Sequence, residues 1–168
     1  MQVCNDSLAA AVIEAVVSGE SPARKPKEIL VPIDFSESSL TALRCARALA
    51  EAGKDHVILL NVVEEPDSFR TLNVVSRQRA RYSQRAERLH ELANRELGAR
   101  VVARIEVRAG RPLAEIVRSA SKRRADLIIV GRHPHHGLRH WLRGHTATQL
   151  SKRAPCPVLL LQPGYRPN

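Results

Sequence analysis

Residues 28–34 read EILVPID, a run of mostly apolar residues with three β-branched side chains that ends in a carboxylate and a Ser-rich turn, FSESS. A short apolar run bounded in this way is the signature of a strand buried on both faces. Ser36 and Ser38 both stand where a helix N-cap is needed. Beyond them Leu40, Leu43, Ala46 and Ala50 fall on one helical face, and Gly53 is the expected stop. The chain therefore opens its core as strand, then helix. HVILLNVV at 56–63 repeats the strand signature, and Leu72, Val75, Tyr82, Ala86, Leu89, Ala93 and Leu97 mark a long amphipathic helix before Gly98.

The alternation continues to the end. VVARIEV, residues 101–107, is a strand with polar interruptions, as a sheet edge tolerates. Gly110 turns the chain, and Pro112 opens a helix carrying Leu113, Ile116, Val117 and Ala120. DLIIV at 126–130 is the fourth strand, a helix is expected over Thr146 to Arg153, and PVLLLQ (157–162) is the fifth strand. Right-handed crossovers would set the five strands in one open parallel sheet with helices on both faces. The predicted class is α/β, Rossmann-like, and 168 residues suit one such domain. Aromatic residues make up only 3% of the chain, so Val, Ile, Leu and Ala must fill the core, which favours parallel strands flanked by helices over a sandwich.

Residues 1–26 read as an appendage. Asp6 or Ser7 caps a short helix through Val17 that is apolar on nearly every side, followed by the linker GESPARKPK. The domain proper is expected over 27–163, with 164–168 a short tail. Glu14 interrupts the apolar stretch and no basic segment precedes it, so neither a signal peptide nor a membrane span is expected. Cys4, Cys45 and Cys156 form no C-x-x-C and no even set, which argues against a disulfide framework or structural zinc and fits a reducing cytoplasm.

In an open α/β sheet, ligands gather beyond the carboxyl ends of the strands, where strand order reverses. The candidates there are Pro32 and Asp34 after strand one, Val62 after strand two, Gly110 after strand three, and Gly131 onward after strand four. Gly131, Gly137 and Gly144 lead into a helix, which is how main-chain N–H groups are brought to a phosphate. This is not a P-loop: no Gly-Lys-Ser or Gly-Lys-Thr occurs anywhere.

Three separated segments, ILVPIDFSESS, the Gly110 turn and VGRHPHHGLRHWLRGHTATQLSKRAPCPVLLL, resemble the universal stress protein family over about residues 27–162. The resemblance implies strand order 3-2-1-4-5, a cytoplasmic homodimer joined through Pro157–Gln162, a role in stress tolerance, and, in many members, ATP bound through G-x2-G-x9-G followed by Ser or Thr. Gly131, Gly144 and Asp34 match that pattern, whereas Pro134 replaces the second glycine and His145 the hydroxyl residue. Proline lacks an N–H, so one phosphate contact is lost. Arg132, His133, Arg139, Arg143, His145 and Thr146 offer other donors. The expected ligand is therefore ATP, AMP or another adenine nucleotide, with Mg²⁺ accompanying ATP. The alternative is a protein-interaction module whose nucleotide site has decayed.

Other uses of these residues are disfavoured. His133, His135, His136, His140 and His145 crowd one loop without a carboxylate or cysteine beside them, so a solvated basic loop is favoured over a metal site. The excess of 27 Lys and Arg over 17 acids, with Arg77, Arg79, Arg81, Arg85 and Arg88 on one helix, favours anionic partners in general. Stacking aromatics are nearly absent, so a nucleic-acid role is not expected. No nucleophile–base pair or paired carboxylates stand at the strand ends, so the protein is not expected to be an enzyme, and any slow ATP hydrolysis would be incidental.

Overall fold

The computed structural model describes residues 27–50, 55–64, 75–98, 101–131 and 144–162, with backbone alone at 75–78 and 144–148. The expected appendage at 1–26, the tail at 164–168 and most of the histidine loop lie outside these residues. Five strands form one parallel sheet: β1 Glu28–Pro32, β2 His56–Val63, β3 Val102–Ala109, β4 Leu127–Gly131 and β5 Val158–Leu161, in the order β3-β2-β1-β4-β5. Four helices accompany them among the described residues: α1 Glu37–Leu49, α2 Val75–Glu96, α3 Pro112–Arg123 and α4 Gly144–Arg153.

Strand composition explains strand position. β1, β2 and β4 are buried almost throughout and occupy the centre, while β3 and β5 carry half-exposed residues and take the edges. The polar interruptions in β3 do mark an edge, with Val102 43% exposed. On one face Val31, Leu59 and Ile129 pack with Leu43, Ala46, Leu89 and Leu92 of α1 and α2. On the other Leu30, Ile58 and Val130 pack with Ile116, Ala120 and Leu150 of α3 and α4. A sheet covered on both sides has no solvent face, which is why its central strands read as unbroken apolar runs.

Local signals fix the helix ends. Ser36, not Ser38, caps α1: its Oγ accepts from the Ser39 N–H at 3.3 Å. The helix stops at Leu49, short of the expected Gly53, because Ala50 turns to extended geometry while its N–H still closes on the Ala46 carbonyl at 2.9 Å. Pro112 occupies the first turn of α3, where a missing N–H costs nothing, and Arg124 ends it in the left-handed region. α4 begins two residues earlier than Thr146, at Gly144. At the amino ends of the strands Asp126 accepts from the N–H groups of Lys27 (2.9 Å) and Glu28 (3.0 Å), which pins β1 beside β4.

Candidate functional site

The order 3-2-1-4-5 reverses between β1 and β4, and their carboxyl ends therefore frame the crevice. At the β1 side the chain is tethered to β2 one residue beyond the strand. The Ile33 N–H donates to the Leu60 carbonyl at 2.8 Å, and Asn61 Nδ2 donates to the Ile33 carbonyl at 2.7 Å. Asp34 then turns the chain: its Oδ1 accepts from the Ser36 N–H at 3.0 Å and from Ser36 Oγ at 2.5 Å. That Asx-type turn throws Phe35 into the left-handed region, φ 65°, and delivers Ser36 to its capping position. One carboxylate oxygen of Asp34 thus holds the loop at the carboxyl end of β1.

At the β4 side Gly131 is buried, and its backbone lies against the first turn of α1. A Cβ there would stand 2.0 Å from the Ser38 carbonyl oxygen and 2.4 Å from its carbon. The glycine is thus required for close strand–helix approach, quite apart from any phosphate. Gly110, after β3, has φ +137°, donates its N–H to the Val63 carbonyl at 3.1 Å, and leaves room for Glu115, whose Cγ would lie 3.2 Å from an added Cβ.

Pro32, Asp34, Val62, Gly110 and Gly131 therefore lie at or just past the carboxyl edges of their strands, as the sequence reading expects. Pro32 and Val62 are buried in the sheet. Gly144, His145 and Thr146 form the first turn of α4, whose N–H groups start at the same edge. Arg132, His133, Pro134, Gly137, Arg139 and Arg143 lie outside the described residues. Among the described residues no cluster of three or more His, Cys, Asp or Glu has metal-ligating geometry, and no helix is long and apolar enough to cross a membrane.

Two features escape the sequence reading. Asn61, inside the apolar run of β2, is only 3% exposed, and its Oδ1 has no hydrogen-bond partner among the described residues. The second is a charged network under α3. Glu106 accepts from Ser119 Oγ (2.8 Å), from Arg108 Nε (3.0 Å) and from Arg123 Nε. Arg108 and Arg118 also reach Glu115, at 3.3 and 2.9 Å. The signal was available: Glu106 and Arg108 share a strand face, while Glu115, Ser119 and Arg123 recur every fourth residue on α3.

Burial pushes the Glu106 carboxyl up, but hydrogen bonds from Ser119, Arg123 and Arg108 outweigh it and hold the group below the ordinary value of 4.5. Glu96, which bridges α1 and α2, follows the same balance: burial raises it, but hydrogen bonds from Arg44 (3.0 Å) and Arg95 (3.1 Å) outweigh this and hold it below its ordinary value. A carboxyl depressed in the folded state contributes stability above its unfolded value, and loses it as pH falls through the folded one. Urea midpoints should accordingly be flat near neutrality and drop below about pH 4.5. In Glu106→Gln the drop should be shallower, and an acid limb of unchanged steepness would contradict the assignment.

Comparison with known proteins places these elements in context. The universal stress protein family model matches residues 25–162. The universal stress protein MJ0531 of Methanocaldococcus jannaschii is 30% identical over 141 residues, covering 81% of this chain and 82% of its own. MJ0577 of the same organism is 30% identical over 155 residues, covering 81% and 94%. Its solved structure superposes with a TM-score of 0.67 at 26% identity, over 83% of this chain and 98% of that one. A universal stress protein family member from Arabidopsis thaliana, solved with AMP bound, matches with a TM-score of 0.56 at 18% identity, over 82% of this chain and 92% of its own, a likeness of fold.

Proposed function

Because the chain belongs to the universal stress protein family, we propose that it is a non-catalytic stress-response domain that binds an adenine nucleotide, ATP or AMP, at the carboxyl edge between Asp34 and the segment Gly131–Thr146. The observation that carries this reading is the framing of the switch point. Asp34, fixed by its own turn, stands on one side, and the first turn of α4 follows β4 on the other. The N–H groups of that turn, which includes Gly144 and His145, favour a phosphate, and Arg132, His133 and Gly137 precede it in the sequence. The AMP held by the Arabidopsis relative, on the same fold, supports the choice of ligand. Mg²⁺ enters only with ATP, on the phosphates.

Calorimetric titration with ATP and with AMP tests the proposal. Both should release heat, and Asp34→Ala should weaken AMP at least about tenfold, one charged hydrogen bond's worth. Asp34→Asn keeps the Oδ1 acceptor that turns the loop, so any loss there reports the charge and the second acceptor oxygen and not the turn. No heat with either nucleotide at millimolar concentration would sink the reading. Pro134, in place of a family glycine, favours a second reading, a dimeric interaction module with a lapsed site. Its mark would be partner capture that disappears on deleting residues 1–26.

The proposal includes a homodimer through the edge strand β5, where Val158, Leu159 and Leu160 are half-buried and one row of main-chain groups faces outward. Sedimentation should give about twice the 18.6 kDa chain mass. A concentration-independent monomer would remove this part of the proposal. A cytoplasmic location is part of the same proposal.

A further inference from the structure

The loop that carries Asp34 also carries a feature that nucleotide binding at α4 does not use. Phe35 is held at φ 65°, a conformation that a bulky residue adopts only when its surroundings impose it. Over its ring stand two guanidinium groups of α2, Arg88 at 4.3 Å and Arg85 at 5.5 Å from the centroid. They are three residues apart on one helical face, so the ring gathers two like charges that repel each other. Arg88 is exposed and enters no ion pair among the described residues. Two cations fixed in orientation by a shared ring, one of them without a carboxylate, form a seat for an anion.

Position decides which anion. Phe35 packs on the core face formed with α1 and α2, whereas α4 packs on the opposite face through Leu150. The two anion-attracting features thus lie on opposite sides of the sheet, both at the carboxyl edge, with Asp34 next to Phe35 between them. From this arrangement we infer that the site takes an adenine nucleotide carrying a second phosphate, remote from the first, whose charge is received by Arg88 and Arg85 beside Phe35. The inference rests on the nucleotide reading above and names its ligand class: AMP fills half of the site, and a nucleoside bisphosphate fills both halves.

The test compares AMP with adenosine 3′,5′-bisphosphate on the full chain by calorimetry at low salt. The bisphosphate should bind about tenfold tighter than AMP, the effect of one added charge-assisted contact. Arg88→Gln, an exposed position, should erase that ratio while leaving AMP affinity within about twofold and the melting temperature unchanged. Arg88→Lys should keep part of the ratio. Equal affinities in the unmodified protein, or a ratio that survives both Arg88→Gln and the double change Arg85→Gln/Arg88→Gln, would overturn the inference. Should AMP fail to bind, the nucleotide reading falls by itself, and the bisphosphate alone then decides: binding abolished by Arg88→Gln retains the subsite, and absent binding removes it.

Discussion

Gly131→Ala is expected to destabilise the domain by about 3 kcal/mol or more, the upper end of overpacking costs. The atoms met by the new methyl group are main-chain atoms of Ser38, at 2.0 and 2.4 Å, not the yielding end of a side chain. Relief requires the first turn of α1 to lift off β4, and that turn is fastened at both ends of its loop by Asp34 and Ser36. Gly98→Ala serves as the control. Its φ of +65° strains an alanine, but nothing lies within 4 Å of the added Cβ, so about 1 kcal/mol is expected. Denaturant midpoints for the two variants separate the cases, and equal losses would mean that the close approach at Gly131 is not felt. Because the same movement opens the crevice, nucleotide affinity should fall with Gly131→Ala and hold with Gly98→Ala.

Glu106→Ala should cost about 2–4 kcal/mol, somewhat below the range for breaking a fully buried pair. The carboxylate is 7% exposed, whereas its partners Arg108 and Arg123 are 18% and 35% exposed, so water can reach part of what is left behind. The loss comes chiefly from stranded donors on Arg108 and Ser119, not from the attraction removed. Glu37, paired with Arg44 but 75% exposed, provides the contrast: Glu37→Gln should change stability by less than about 0.5 kcal/mol. Comparable losses at the two sites would show that the network under α3 is no better shielded than the surface pair.

Much of the fold was legible because burial on both faces leaves a compositional trace. EILVP, HVILLNVV and LIIVG carry it and became the central strands, and the mixed VARIEVRA became an edge. Boundaries were less legible. α1 ends at Leu49 through the geometry of Ala50, which has no residue signature, and not at the conspicuous Gly53. Ser36 and Ser38 were equal as caps until the turn made by Asp34 chose between them. The site was half legible: Asp34 and Gly131 fall where the pattern put them, but the contact with Ser38 that demands a glycine at 131 depends on how a helix lies against a strand. The Glu106 network and the stack on Phe35 were hidden for the same reason. An arginine beside a carboxylate in sequence resembles a solvated surface until a second element covers it, and nothing in the letters FSESS announces a positive φ.

The place of β1 in the middle of the sheet bears on how the polypeptide reaches this arrangement while it is being made. β2 follows β1 after a single helix, but the Glu28 N–H meets its partner in Asp126 across 98 positions. On the ribosome, β3-β2-β1 can therefore assemble early, and the open flank of β1 waits, apolar and unbonded, for β4 to emerge. Closing that gap is a long-range step, so β1–β4 pairing should set the pace of folding, and the nascent half-sheet is the species most in need of a chaperone.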